Sequence, residues 1–226
     1  MLDISKKISF INDDEELLDS FNYLKKDQYA PHARRYRRFS QFKVYFKNKW
    51  IFELLPHRPL IQPKSINSAS GGVLREFEPM QADPSRVMGN IFERLGIDKS
   101  KIWHLDINQY RVYGGKEEHG ISVPEGRHRD GHQYVQIIVF ERKDILGSQL
   151  SVYKTMSKDE IPIFSDTIMP GEAIILNDER VFHDATPVLG TKDVDGYRDY
   201  FSTALNYWEN RNYGEEFERE ALSYGL

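Results

Sequence analysis

Five runs rich in β-branched and aromatic residues fill the second half of this 226-residue chain: IWHLDINQYRVY, QYVQIIVFER, QLSVYK, EAIILND and YRDYFSTALNYW. Gly, Pro and Asp turns separate them, the pattern of successive short strands. What precedes them has a different texture. DDEELLDSFNYLKKD (13–27) places acids first, lysines last and apolar residues at helical spacing, which predicts an amphipathic helix. DPSRVMGNIFERLGI (83–97), with Asp-Pro at its start and a Gly stop, predicts a second. Between them, HARRYRRFSQFKVYF (32–46) alternates like a strand in its later half, 51–72 is loop-like, and GGVLREFEPM offers a short strand. The tail ENRNYGEEFEREALSYGL suggests a short terminal helix. Helices first and strands later give an α+β chain with a mainly β core, a sandwich or barrel. No repeat or linker divides it. One domain is expected over 1–226, with a helical and mixed part to about residue 100 and a β core over about 101–208.

Composition narrows the chemistry. Apolar residues at 39% and aromatics at 13% suit a folded globule, and a net charge of -4 creates no global field for nucleic acid. Five basic side chains between 34 and 43 read as a solvated face with one or two inward arginines rather than an RNA site. The chain has no cysteine, so any metal must sit on His, Asp, Glu or water, which suits Fe(II), Mn(II) or Zn(II). The start MLDISKKISF lacks a signal-peptide core, and no stretch approaches the roughly 18 apolar residues of a membrane span. A soluble cytoplasmic protein is the expectation.

PEGRHRDGHQ (124–133) leads into the apolar run VQIIVF and reads either as a solvated loop or as half of a metal site. In an extended segment His128 and Asp130 point to one face and Arg129 to the other. Gly126 and Gly131 let the backbone bend closely around a centre. His128 and His132 have helical spacing, but Pro124 and the glycines oppose a helix. The best third ligand is His183 in RVFHDATPV, after the strand EAIILND. Two His and one carboxylate make the facial triad of non-haem Fe(II) oxygenases, which leaves open positions. A second pair, His104 and Asp106, reads as the solvated side of a strand together with Asn108, because Trp103, Leu105 and Ile107 form the apolar side. Arg198, on the last predicted strand, offers a guanidinium fork suited to a distal carboxylate. His-x-Asp, a later His, then Arg is the order used by 2-oxoglutarate-dependent dioxygenases.

Taken together, HARRYRRFSQF, GGVLREFEPM, INQYRVY, PEGRHRDGHQYV, RVFHDATPV and GYRDYFSTALNY resemble the bacterial family of 2-oxoglutarate/Fe(II) dioxygenases that includes the L-isoleucine 4-hydroxylase and its biofilm-stress relatives. The resemblance implies a double-stranded β-helix (jelly roll, cupin-like) with N-terminal helices packed on it. It implies His128, Asp130 and His183 on iron and Arg198 on the C5 carboxylate of 2-oxoglutarate. The reaction implied is hydroxylation of an aliphatic carbon of a small molecule, most of all a free L-amino acid, with succinate and carbon dioxide as co-products. Partners would be that substrate and dioxygen, with no nucleic acid or membrane; a homodimer stays open. Arg75 and Arg111 lie in stretches shared with the amino-acid hydroxylases and are candidates for the substrate carboxylate, the alternative being ordinary ion pairs. Two positions depart from the family pattern. Gly147-Ser148 stands where relatives usually carry Gly-Gly, and Tyr200 stands two residues after the arginine, where other branches carry Ser or Thr.

Rival chemistries fare less well. Iron halogenases replace the carboxylate with a small residue, and Asp130 is intact. A zinc hydrolase would want a His-Glu-x-x-His helix, which is absent. A non-catalytic cupin-like binding protein would not need Arg198, and a nucleic-acid or protein demethylase would want a basic surface or an extended groove.

Overall fold

The computed structural model, which describes residues 4–67 and 71–223, is built on an eight-stranded antiparallel sheet. Its strands lie in the order β1 (Ser5–Ser9), β10 (Glu172–Asn177), β6 (Tyr134–Lys143), β13 (Gly196–Tyr207), β5 (Trp103–Gly114), β3 (Arg35–Lys47) and β2 (Lys25–Lys26). The eighth, β4 (Lys49–Leu54), folds back on β3. A smaller sheet runs β11 (Phe182–Ala185), β8 (Gln149–Tyr153), β9 (Phe164–Thr167), and β12 (Val188–Gly190) pairs with β7 (Ile145–Gly147). The helices are α1 (Glu15–Ser20), α2 (Ser85–Leu95) and α3 (Glu215–Ser223).

Strand alternation explains why both faces of the large sheet are apolar. In β10, Ile174 and Leu176 face the small sheet, where they pack with Val135, Val139, Leu150 and Val152. Their neighbours Ala173 and Ile175 face the opposite way, with Ile138, Phe140 and Phe201, onto α1 and α2. Leu17, Phe21, Met88, Ile91 and Phe92 complete that helix-covered core. Burying each of these larger side chains contributes about 1.5–3 kcal/mol. A sheet buried on both faces reads as continuous apolar runs, which is what VQIIVF and EAIILN are.

Several elements differ from their sequence expectation. The first helix is short: Asp14 caps it by accepting the Leu17 N–H, and after a 3-10 turn at Phe21–Tyr23 the chain extends at Leu24 and joins β2. α2 ends where expected, because Gly96 at φ 73 returns its N–H to the Phe92 and Glu93 carbonyls. GGVLREFEPM makes only a single bridge, Arg75 to Leu60. The basic run 34–43 is not a solvated face. Arg35, Arg37 and Arg38 are all buried, because Asp27, the Tyr23 and Pro79 carbonyls and Glu78 receive them. The expected solvated side of β5 is also a correction. His104 is 0% exposed and Asp106 is buried, since the segment after β13 covers them: Trp208 and Tyr213 stand beside the His104 ring, and Asn212 accepts from Gln41.

Candidate active site

The loop 115–133 and strand β11 converge at one end of the two sheets. His128 and His183 form an isolated antiparallel bridge, exchanging N–H to carbonyl bonds of 3.0 and 2.9 Å. Their rings then lie side by side, centroids 4.4 Å apart. Asp130 reaches both: its Oδ1 is 3.3 Å from His128 Nε2 and its Oδ2 is 3.6 Å from His183 Nε2. The three donor atoms lie within 4.8 Å of one another. Gly131, at φ 81, takes the left-handed turn that lets the chain leave this point.

Neighbouring groups fix which nitrogen each imidazole presents. His128 Nδ1 is 2.8 Å from the Gly126 carbonyl, so it carries the proton and Nε2 is left as the donor. His183 Nδ1 faces Asp178 Oδ1 at 3.8 Å. Asp178 also receives the N–H groups of Asp130, Gly131 and His132 at 3.2, 2.8 and 3.1 Å, so one buried carboxylate holds the whole ligand turn. Burial, then the Asp130 charge, push the Asp178 carboxyl up, against the pull of those donors. Burial would lower His128, but the hydrogen bond and charge of Asp130 outweigh it and raise the imidazole to about 9. Burial likewise opposes ionisation of Asp130, and the two imidazoles overcome it, holding that carboxyl well below its ordinary value. The protonated His128 beside an ionised Asp130 is a charge pair at the place a dication would take, and metal binding releases such a proton. His132 is not part of this set; its Nδ1 meets Asn206 at 2.9 Å.

Arg198 projects from β13 into the cavity that the triad closes, together with Tyr110, Ile137, Ser148 and Leu150. It is 3% exposed, its guanidinium lies 4.3 Å over the Tyr200 ring, and its Nε has no hydrogen-bond partner. Among the described residues no carboxylate pairs with it. Burial, opposed by Tyr200, lowers it to about 10, still charged at neutral pH. A buried cation without a counter-charge is costly unless an anion arrives. The residues therefore fit both groups that the sequence resemblance implies: a two-His, one-carboxylate donor set for Fe(II), and a guanidinium for a dicarboxylate.

A second chamber lies on the other side of Asp130, walled by Arg37, Arg75, Asp106, Asn108 and Thr203. Arg75 donates to Gln62 at 2.8 Å, while its buried Nε is unpartnered. Arg37 bonds Asn108 and lies 3.7 Å from Asp27. Arg111 is elsewhere. It makes a bidentate pair with Asp199 at 2.7 and 2.6 Å, bonds Asn22 and lines neither chamber, so the ion-pair alternative describes it. Sequence reasoning missed Asp178, and it placed Arg37 in a solvated basic run and Asp106, weighed there as a second His-x-Asp, on the solvated side of a strand.

The fold has solved counterparts. A BsmA homolog from Methylobium petroleophilum PM1 is similar over 85% of this chain and 80% of its own, with TM-score 0.68 and 23% identity. IDO from Bacillus thuringiensis is similar over 90% and 93%, with TM-score 0.68 and 21% identity. The Fe(II)/α-ketoglutarate-dependent dioxygenase TqaL follows over 90% and 82%, with TM-score 0.60 and 14% identity. No curated protein sequence matches the chain significantly. The shared architecture is the jelly roll of 2-oxoglutarate oxygenases, as expected. Residues 18–204 match the family model described as 2OG-Fe dioxygenase, and the chain belongs to that family, which uses Fe(II) and 2-oxoglutarate.

Proposed function

We propose that this oxygenase hydroxylates an aliphatic carbon of a free L-amino acid, with His128, Asp130 and His183 as the iron ligands and Arg198 on the C5 carboxylate of 2-oxoglutarate. The observation that carries the site assignment is Arg198: a buried, unpaired guanidinium in the cavity closed by the triad. When bound, iron and 2-oxoglutarate supply the oxidising power, dioxygen being reduced as the 2-oxo acid becomes succinate and carbon dioxide and one oxygen atom enters a C–H bond.

The chain's residues do the rest. The His-Asp-His set would hold the metal, its three donor atoms lying within 4.8 Å of one another. Arg198 fixes the far end of the cosubstrate and so orients it before substrate arrives. Ile137 and Leu150 give that cavity an apolar wall. Across Asp130, the Arg75 guanidinium suits an α-carboxylate, and Asp106 with Asn108 offers acceptors for an ammonium. A chamber with both charges favours a zwitterion, because either charge buried without its partner would be penalised. Arg111 is no longer a candidate for that contact.

The test is a survey of the proteinogenic L-amino acids with iron-loaded, reduced protein and 2-oxoglutarate, reading succinate and the hydroxylated product together. One amino acid or a small set should give the two in equal amounts. Succinate coupled only to a small molecule without an α-amino acid group would overturn the substrate class and leave the oxygenase assignment standing.

A further inference from the structure

The turn between β7 and β8 contains two successive left-handed residues, Gly147 at φ 75 and Ser148 at φ 55. Gly147 has to be glycine, because a Cβ there would meet the Pro187 carbonyl oxygen at 2.0 Å. Ser148 is under no such demand, and a side chain in this region is strained. The residue is 1% exposed and its Oγ has no hydrogen-bond partner. Two unfavourable features coincide on one side chain, and that side chain lines the cavity of Arg198 and the triad.

Its position at the Arg198 end is fixed from several directions. Arg142 stands opposite Arg198 in the β6–β13 ladder and donates to the Gly147 carbonyl at 2.9 Å. The Ser148 N–H donates to the Pro187 carbonyl at 3.0 Å. Tyr200, two residues after Arg198, lies with its ring under the guanidinium, so a short hydroxyl is missing from that position. A carboxylate held by one guanidinium still has acceptor capacity to fill.

We propose that Ser148 Oγ donates a second hydrogen bond to the distal carboxylate of 2-oxoglutarate, beside Arg198, so that a strained hydroxyl on the turn serves as cosubstrate anchor. This rests on the assignment of Arg198 to that carboxylate, and the experiment separates the two.

Fe(II)-loaded protein, kept free of dioxygen, is titrated calorimetrically with 2-oxoglutarate and with 2-oxopentanoate, which carries a methyl group in place of the distal carboxylate. Ser148→Ala and Ser148→Gly should each bind 2-oxoglutarate about ten- to a hundredfold more weakly, the loss of one hydrogen bond to a charged group. Their binding of 2-oxopentanoate should match that of the unaltered protein. Ser148→Gly should also unfold at a higher temperature, because it relieves the left-handed strain, whereas Ser148→Ala keeps the strain and should not. A purely structural serine would change stability alone. Affinity for 2-oxoglutarate within twofold of the unaltered protein in both variants overturns the proposal. If Arg198→Met also leaves that affinity intact, the underlying assignment of Arg198 fails instead.

Discussion

His128 and His183 are bound to each other through their main chains, two hydrogen bonds of 3.0 and 2.9 Å joining a loop residue to the edge strand of the small sheet. The distance between the two imidazoles is therefore set by backbone pairing and not by side-chain flexibility. Replacing either ring by alanine keeps the bridge. His128→Ala and His183→Ala should both stay folded, the buried His183→Ala at a cost of about 2–4 kcal/mol and the half-buried His128→Ala at less, yet both lose Fe(II) binding and turnover. Thermal unfolding and metal analysis on the same samples check both halves.

Asp178 should behave differently. It accepts three N–H groups from 130–132 and faces His183 without being placed to ligate. Asp178→Ala leaves buried donors unsatisfied and should cost about 3 kcal/mol or more in urea unfolding, along with metal affinity. Asp178→Asn keeps the shape and one acceptor oxygen but turns an NH2 toward the other N–H donors, so it should recover only part of the stability and part of the metal binding.

His104 and Asp106 give a pH prediction. Burial, then the Arg211 charge, lower the His104 imidazole to about 3, so it is neutral in the fold. Burial raises the Asp106 carboxyl to about 6. Its folded value lies above its unfolded one, so its contribution to stability is present below about pH 4 and is lost as pH rises through 6. Asp106→Asn should match the unaltered protein near pH 4 and exceed it by roughly 1–3 kcal/mol above pH 7, in denaturant titrations at the two pH values. His104→Ala, which opens a cavity in a fully buried site, should destabilise by about 2–4 kcal/mol while leaving Fe(II) binding intact.

The contrast between these groups shows how far the sequence could be read. His128 and Asp130 were legible because an extended chain puts alternate residues on one face, and His183 because it follows a strand by a short turn. Strand alternation also identified the apolar side of β5, but not that the segment after β13 would cover the other side and bury His104. The arginines of β3 were misjudged for the same reason: Asp27 and the carbonyls that receive them are recruited from distant segments. Asp178 had no signal, since accepting backbone N–H groups requires no spacing. β1 escaped notice because SKKIS, an edge strand on β10, neither alternates nor is apolar.

Arg198→Lys retains charge and loses the planar fork. It should raise the 2-oxoglutarate concentration needed for half-maximal rate by about tenfold or more, with little change in the substrate requirement. Steady-state kinetics with each reactant varied in turn separate the two effects.

The most direct test needs no knowledge of the substrate. Fe(II)-loaded protein without dioxygen is titrated with 2-oxoglutarate, and the visible absorption of the iron chelate is followed in the unaltered protein, Asp130→Ala and Arg198→Lys. The unaltered protein should develop the band at stoichiometric 2-oxoglutarate, Arg198→Lys only at higher concentration, and Asp130→Ala not at all. Reduced, iron-loaded protein that develops no band at any 2-oxoglutarate concentration, or an Asp130→Ala variant that titrates like the unaltered protein, would contradict the assignment of His128, Asp130, His183 and Arg198.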